Sequence, residues 1–217
     1  MQVTIRSRVF YRAVASGVFH CERCGGDRPY RQRSGRQWAQ VFGLPIIPLG
    51  RTGEHLRCVI CRTCYRVDLL AVPTVDQMLD ALLDATTLAT LAMLNAGGSA
   101  SQAARRRAIE LIMSAGSPEY DEPDLAVALE QVGGAPDAAL TCGPVPGLRS
   151  AVETVAIQLE GPAREWFLGK VVQVGLADGA LSTAERDVVG TVARYLGMSQ
   201  ARADSVILLA EEAAQAG

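Results

Sequence analysis

The sequence of 217 residues is poor in aromatic side chains, which make up 5%, and it has one lysine and two histidines. So few aromatics argue against an aromatic-rich β-sandwich, whereas abundant Ala, Leu and Val favour helices packed on small side chains. No apolar run reaches the roughly 18 residues that a membrane-spanning helix needs. Arginines interrupt the N-terminal region at Arg6, Arg8 and Arg12, so we expect no secretory signal and a soluble, cytoplasmic protein.

Residues typical of enzyme active sites are also scarce. The two histidines, His20 and His55, stand beside cysteines, and no Gly-x-Ser-x-Gly nucleophile motif occurs. A glycine-rich phosphate loop ending in Lys-Ser or Lys-Thr is absent, because the single lysine is Lys170. We therefore predict that the protein is not an enzyme and has no small-molecule substrate.

Charge is distributed unequally along the chain. Residues 1–70 contain twelve arginines and four acids, a net charge of +8, while the remainder has nine basic and nineteen acidic residues, a net charge of −10. Opposite charges on the two halves indicate two domains, which we place at residues 1–72 and 73–217. The basic domain either binds a polyanion such as nucleic acid, or is attracted to the acidic half of the same or another chain.

Two C-x-x-C pairs lie within the basic domain. Cys21 and Cys24 form the first pair, and Cys58 and Cys61 form the second after 33 intervening residues. This is the ligand spacing of a four-thiolate zinc ribbon, and Gly25 after the first pair suits a tight turn. Disulfides are not expected without an export signal, and no helix is predicted where a redox-active pair would need one. We predict a small β zinc ribbon holding a structural Zn²⁺ ion.

Some features near the cysteines leave alternatives open. Cys61 and Cys64 also have C-x-x-C spacing, so Cys64 is an alternative ligand to Cys58. The apolar stretch 38–49, with arginines on both sides, has two interpretations. It covers the core of the ribbon or docks onto the second domain, because so small a ribbon has little core of its own. Alternatively, it contacts a partner protein or a membrane, because apolar surface surrounded by arginine is common at interfaces.

From Pro73 onward the sequence is helical in pattern. Apolar residues recur at three- and four-residue steps after Pro73, and Pro162, Gly197 and Ser199 mark helix ends. A Gly/Pro-rich link at 133–147, which includes the lone thiol Cys142, divides the region into two halves. The pattern predicts a first helix over 75–83 and further helices near 84–95, 101–114, 123–132, 147–159, 162–177, 183–196 and 199–213.

The two helical halves are similar to each other. At an offset of 81 residues, 96–105 aligns with 177–186, and Ala, Gly, Ser, Ala and Arg match. Gly116 then aligns with Gly197 at the end of the following helix. The alignment predicts a duplicated helix–turn–helix unit, in which each copy buries its apolar face against the other.

One segment of the second half resembles the signature of a known domain family. The segment is residues 175–187, which contain Asp178-Gly179 followed by Glu185, together with Leu196-Gly197-Met198-Ser199 further on. The signature that it resembles is that of the TerB, or tellurite-resistance, domain family. The resemblance covers about residues 75–215 and implies a compact all-helical domain of repeated helices. The expected fold class is therefore mainly α, a duplicated TerB-like bundle preceded by a small β zinc ribbon. The ribbon, with its Pro-Ile-Ile-Pro stretch, is similar to the zinc ribbon found on some bacterial members.

That resemblance also implies a role. It suggests an interaction or scaffold protein in tellurite or chemical stress resistance, assembled with membrane-associated protein partners. By position, Asp178 and Glu185 would hold a divalent cation, and such oxygen ligands suit Ca²⁺ or Mg²⁺. Ser182 and Glu185 equally match a capping box, and the first copy lacks both acids, so we expect weak cation binding or none. The alternatives to the scaffold are a nucleic-acid-binding ribbon with a helical regulatory domain, and a divalent-cation sensor.

Overall fold

A computed structural model describes residues 6–41, 44–133 and 145–215 of the chain. The chain forms two compact units, residues 1–78 and 79–217. The first turn of the first helix belongs to the N-terminal unit, where the backbone N–H of Val75 donates a hydrogen bond to Asp27 Oδ2 at 2.7 Å. The predicted boundary lies a few residues earlier, between residues 72 and 73.

An antiparallel sheet of four strands in sequential order forms the N-terminal unit. The strands are β1 (Arg6–Cys21), β2 (Gly26–Val41), β3 (Leu44–Cys58) and the short β4 (Cys64–Tyr65). A 3₁₀ turn at Val67–Ala71 follows. Short strands around the cysteine pairs are predicted from the sequence, but β1, β2 and β3 are each 15 or 16 residues long.

Bulges explain why these strands are longer than the sequence pattern predicts. The pairing of β1 with β2 shifts at Val14, and the pairing of β2 with β3 leaves Ile46, Leu49 and Gly53 without a directly opposite partner. Each extra residue reverses which face the following side chains occupy. The regular two-residue alternation by which strands are identified in a sequence is therefore broken several times.

The core of the sheet lies at its cysteine end. Phe19 and Leu56 are buried beside Cys21 and Cys58. The ring of Tyr65 packs edge-on against Phe19 with ring centroids 5.4 Å apart. No described residue of the 38–49 stretch belongs to this core. The described residues of this stretch therefore do not cover this core, and docking of the stretch onto the second domain stays a prediction.

The described part of the C-terminal region contains seven α-helices. They are α1 (Val75–Met93), α2 (Gln102–Ala115), α3 (Glu122–Gly133), α4 (Leu148–Ala156), α5 (Gly161–Gly175), α6 (Thr183–Tyr195) and α7 (Gln200–Gln215). A π-helical turn at Leu94–Gly98 follows α1, and a 3₁₀ turn at Leu176–Asp178 follows α5.

Helix boundaries agree with the local signals in the sequence. Pro162 lies in the first turn of α5, and Gly197 follows α6 with a left-handed φ of 70°. The two predicted helices 75–83 and 84–95 are one helix, because no glycine or proline between Val75 and Met93 ends it. Most of the predicted link, including Cys142, lies outside the described residues.

Matching helix caps support the predicted internal repeat. Ser101 precedes α2, and its side chain accepts a hydrogen bond from the backbone N–H of Ala104. Ser182, at the aligned position, accepts the same hydrogen bond from Glu185 at the start of α6. The duplication itself stays a prediction.

Small side chains bring the helices close together. Ala85, Ala89, Ala104 and Ala108 are fully buried, as the composition predicted for this region. Helix α5 contacts α2, α6 and α7, so its buried residues occupy several sides of the helix. Among the helices that the structure describes, none combines the length and hydropathy needed to cross a membrane.

Candidate metal centre

Two similar backbone turns position the four predicted sulfur ligands. In the first, the N–H groups of Cys24 and Gly25 both donate to the carbonyl of Cys21, at 3.0 and 2.9 Å. In the second, the N–H of Arg62 donates to the carbonyl of Cys58 at 3.1 Å. The residue after each pair is left-handed, with φ of 64° at Gly25 and 61° at Arg62. Each turn therefore directs both of its sulfurs to one side.

The four sulfurs converge. The Sγ atoms of Cys21, Cys24, Cys58 and Cys61 all lie within 4.8 Å of one another, and those of Cys21 and Cys61 are 3.7 Å apart. A tetrahedron of thiolates about 2.3 Å from a zinc ion has sulfurs separated by about 3.8 Å. The distances and the all-sulfur donor set thus fit a four-coordinate metal such as zinc.

Three thiols of this cluster have pKa values displaced from the ordinary value of a cysteine. Hydrogen bonds from Thr63 lower the pKa of Cys61 to about 6. Burial, together with hydrogen bonds to neighbouring thiols, raises the pKa of Cys24 to about 12. Burial also acts to raise the pKa of Cys21, but hydrogen bonds, chiefly with Tyr65, outweigh it and lower that pKa. Four thiolates so close together need a cation, because like charges oppose further ionisation.

Tyr65 supports the cluster from outside, and sequence reasoning missed this role. Its hydroxyl is hydrogen-bonded to Cys21 Sγ at 3.3 Å and accepts from the backbone N–H of Arg23 at 3.4 Å. The only signal in the sequence was its place in the alternation Tyr65, Val67, Leu69, which indicates a strand and not a contact with sulfur. Hydrogen bonds of this kind orient metal ligands.

The alternative ligands lie elsewhere. Cys64 is exposed and is not part of the sulfur cluster, so the geometry favours Cys58 over Cys64. The Nδ1 atom of His20 is 3.3 Å from Asp27, and the ring of His55 packs edge-on against Tyr11. Neither histidine belongs to the cluster.

The left-handed conformation of Gly25 leads us to predict that a side chain at this position weakens the first metal-binding turn. Gly25→Ala forces an L-residue into this conformation and should destabilise the metal-loaded turn by about 1 kcal/mol, which lowers zinc affinity about fivefold. Competition with a chelator measures the loss. Gly26→Ala is the matched control, because Gly26 is not left-handed and the nearest atom to an added Cβ is 4.0 Å away. Equal losses in both variants would contradict the argument.

The structure does not gather Asp178 and Glu185 into a ligand cluster. Asp178 is exposed at the end of the 3₁₀ turn, whereas Glu185 is 4% exposed in the first turn of α6. Glu185 Oε2 accepts a hydrogen bond from the Ser182 N–H at 2.8 Å, which completes the predicted capping box. Within the described ranges, the four cysteines form the only group of three or more candidate metal ligands. Cation binding by the two acids stays a prediction.

The capping box and the cation site predict different outcomes for substitutions of Glu185. Glu185→Ala removes the acceptor for a part-buried N–H and should lower the free energy of unfolding by about 1–2 kcal/mol. Glu185→Gln keeps an acceptor oxygen and should lose less than half as much. Urea unfolding measures both, and calorimetry with Ca²⁺ should give no heat of binding. A Ca²⁺-dependent stabilisation that Glu185→Gln abolishes would instead favour the cation site.

These observations define a class of protein: an antiparallel β unit with a four-cysteine cluster suited to a metal ion, followed by a helical unit. The family described as tellurite resistance protein TerB matches residues 83–207, more than half of the chain, so the chain belongs to the TerB family. The match lies in the helical region and leaves the cysteine cluster outside it. No curated protein and no solved structure shows a significant match to the chain.

Proposed function

We propose that this TerB-family protein is a non-enzymatic interaction protein in resistance to tellurite or related chemical stress, with an N-terminal ribbon organised by structural zinc. The observation that carries the proposal is the convergence of four cysteine sulfurs in a chain whose helical region is TerB. Four thiolates fill a tetrahedral shell, so no position remains for substrate or activated water. The metal therefore stabilises the ribbon and does not catalyse a reaction.

The organisation of the chain supports an interaction role. A metal-held β unit and a helical unit, each compact by itself, are the parts expected of a protein that connects partners. The two units have opposite charge, so they are suited to different partners. In this proposal the helical unit acts within the stress-resistance system, and the ribbon contributes a separate contact.

Native mass spectrometry of the full chain tests the metal, and a tolerance assay tests the role. We expect one zinc ion per chain, and a strain lacking the protein should become more sensitive to tellurite. The intact chain and Cys64→Ser should restore tolerance, whereas Cys58→Ser should not. Zinc binding with unchanged tolerance would refute the stress role alone, and absence of zinc would refute the ribbon.

A further inference from the structure

The end of the sheet opposite the cysteines exposes an unusual amount of aliphatic surface. Leu44, Ile46, Ile47 and Leu49 on β3 are each more than half exposed. They lie up to 14 residues from Cys58 along the strand, or roughly 45 Å at the rise of an extended chain. We call the surface formed by Trp38, Gln40 and residues 44–49 the ribbon tip. Exposed aliphatic patches of this kind mark interaction surfaces.

Arginines without acidic partners lie directly behind the ribbon tip. Arg36 on β2 is opposite Arg51 on β3, and Arg8 on β1 is opposite Trp38. Like charges opposite each other in a sheet are unfavourable. None of the ion pairs found among the described residues includes Arg8, Arg36 or Arg51. The positive charge behind the tip is therefore available to an anionic partner.

We propose that the ribbon tip docks on an anionic lipid surface, with its aliphatic side chains in the interfacial region of the bilayer and its arginines on the headgroups. An apolar end followed by basic residues matches the order of acyl chain and anionic headgroup in a bilayer. Trp38 lies at the junction, with the Arg36 guanidinium 5.9 Å from its ring, and tryptophan is favoured at this depth. The tip lies outside the TerB match, so this surface is separate from the proposed stress role.

The backbone of the tip also suits a lipid interface. Upstream of Leu56, β3 pairs on one side only in the described sheet, so its outer edge has no strand partner there. Unpaired N–H groups are unfavourable near lipid, and two residues of this part of β3, Pro45 and Pro48, have no N–H. Aliphatic side chains also favour lipid over nucleic acid, because bases stack on aromatic rings and need no leucine or isoleucine.

Flotation of the full zinc-loaded chain with vesicles tests the proposal. We expect binding to vesicles of phosphatidylcholine with about 30% phosphatidylglycerol and much weaker binding to phosphatidylcholine alone. The double variant Ile46→Ser/Ile47→Ser should reduce partitioning into the vesicles about tenfold or more. Each substitution removes the favourable free energy of transferring an isoleucine side chain from water to the bilayer. Val18→Ser, at the cysteine end of β1 and 57% exposed, is the matched control and should bind normally.

A second set of variants measures how much the arginines behind the ribbon tip contribute to vesicle binding. Arg36→Gln/Arg51→Gln should reduce binding to anionic vesicles about tenfold or more. Arg31→Gln/Arg57→Gln removes the same charge from an opposed pair near the cysteines and should reduce vesicle binding less.

Tryptophan fluorescence tests the position of Trp38. In a Trp166→Phe background, which leaves Trp38 as the only tryptophan, the emission of Trp38 should shift to shorter wavelength on vesicle binding. Unchanged zinc content shows that the ribbon of each variant is folded, and far-ultraviolet circular dichroism checks the helical unit.

Several results would overturn the proposal. No flotation with anionic vesicles, or equal flotation of Ile46→Ser/Ile47→Ser and the parent chain, would do so. Binding to a single-stranded oligonucleotide without binding to vesicles would assign the basic face to nucleic acid. A dimer in solution that Ile46→Ser/Ile47→Ser converts to monomer would make the tip a contact between two copies of the chain.

Discussion

Cys58→Ser should abolish stoichiometric zinc binding and unfold the β unit while the helical unit stays folded. Cys58 is buried in a small core that also contains Cys21, so loss of one ligand removes both the metal and part of the core. Structural zinc contributes about 10–16 kcal/mol of apparent binding free energy in small domains, far more than so small a core supplies. Metal analysis and hydrogen exchange of the β1–β2 amides measure the two effects.

Cys64→Ser is the control for this experiment. Cys64 lies three residues after Cys61 but is exposed and outside the sulfur cluster, so its loss should leave zinc binding and amide protection unchanged. If Cys64→Ser released the metal and Cys58→Ser did not, the alternative ligand set would be the true one. Protection that survives both substitutions and strong chelation would show that the sheet needs no metal.

Leu168→Ala should lower the free energy of unfolding of the helical unit by about 2–5 kcal/mol. Leu168 is fully buried on α5, the helix that contacts α2, α6 and α7, so neighbouring side chains cannot easily fill the cavity. Urea unfolding followed by far-ultraviolet circular dichroism measures the change. Zinc affinity should not change, because the sulfur cluster belongs to the other unit.

The matched control for Leu168 is Leu209 on α7, which is 64% exposed. Leu209→Ala should change the free energy of unfolding by less than about 0.5 kcal/mol. Equal effects of the two substitutions would show that α5 is not at the centre of the helical core. Together with Cys58→Ser, the pair also tests whether the two units are stabilised independently.

Local signals account for what could be predicted. The two C-x-x-C pairs identify four residues whose sulfurs converge, because a tight turn brings ligands two residues apart to one side. Proline at a helix start, glycine after a helix end and serine at the N-cap act within one turn of the chain, so Pro162, Gly197 and Ser182 mark helix ends correctly. The TerB resemblance is confirmed by the family match to residues 83–207.

Non-local pairing accounts for what was missed. The length of β1, β2 and β3 depends on partners many residues away, and bulges at Val14, Ile46, Leu49 and Gly53 hide the alternation. The link between Tyr65 and Cys21 also crosses the sheet unit, over 44 residues of sequence. Spacing arguments cannot detect a contact of this kind, because neither residue lies within one turn of the other.

The sequence by itself identified the cysteine pairs, the helical nature of the C-terminal region and its resemblance to the TerB family, because each depends on residues close together in the chain. Only the tertiary structure decided that Cys58, and not Cys64, joins the sulfur cluster, and that Leu44, Ile46, Ile47 and Leu49 are exposed outside the core of the ribbon. Hydrophobicity shows which side chains favour burial, but the pairing of distant strands decides which of them are buried.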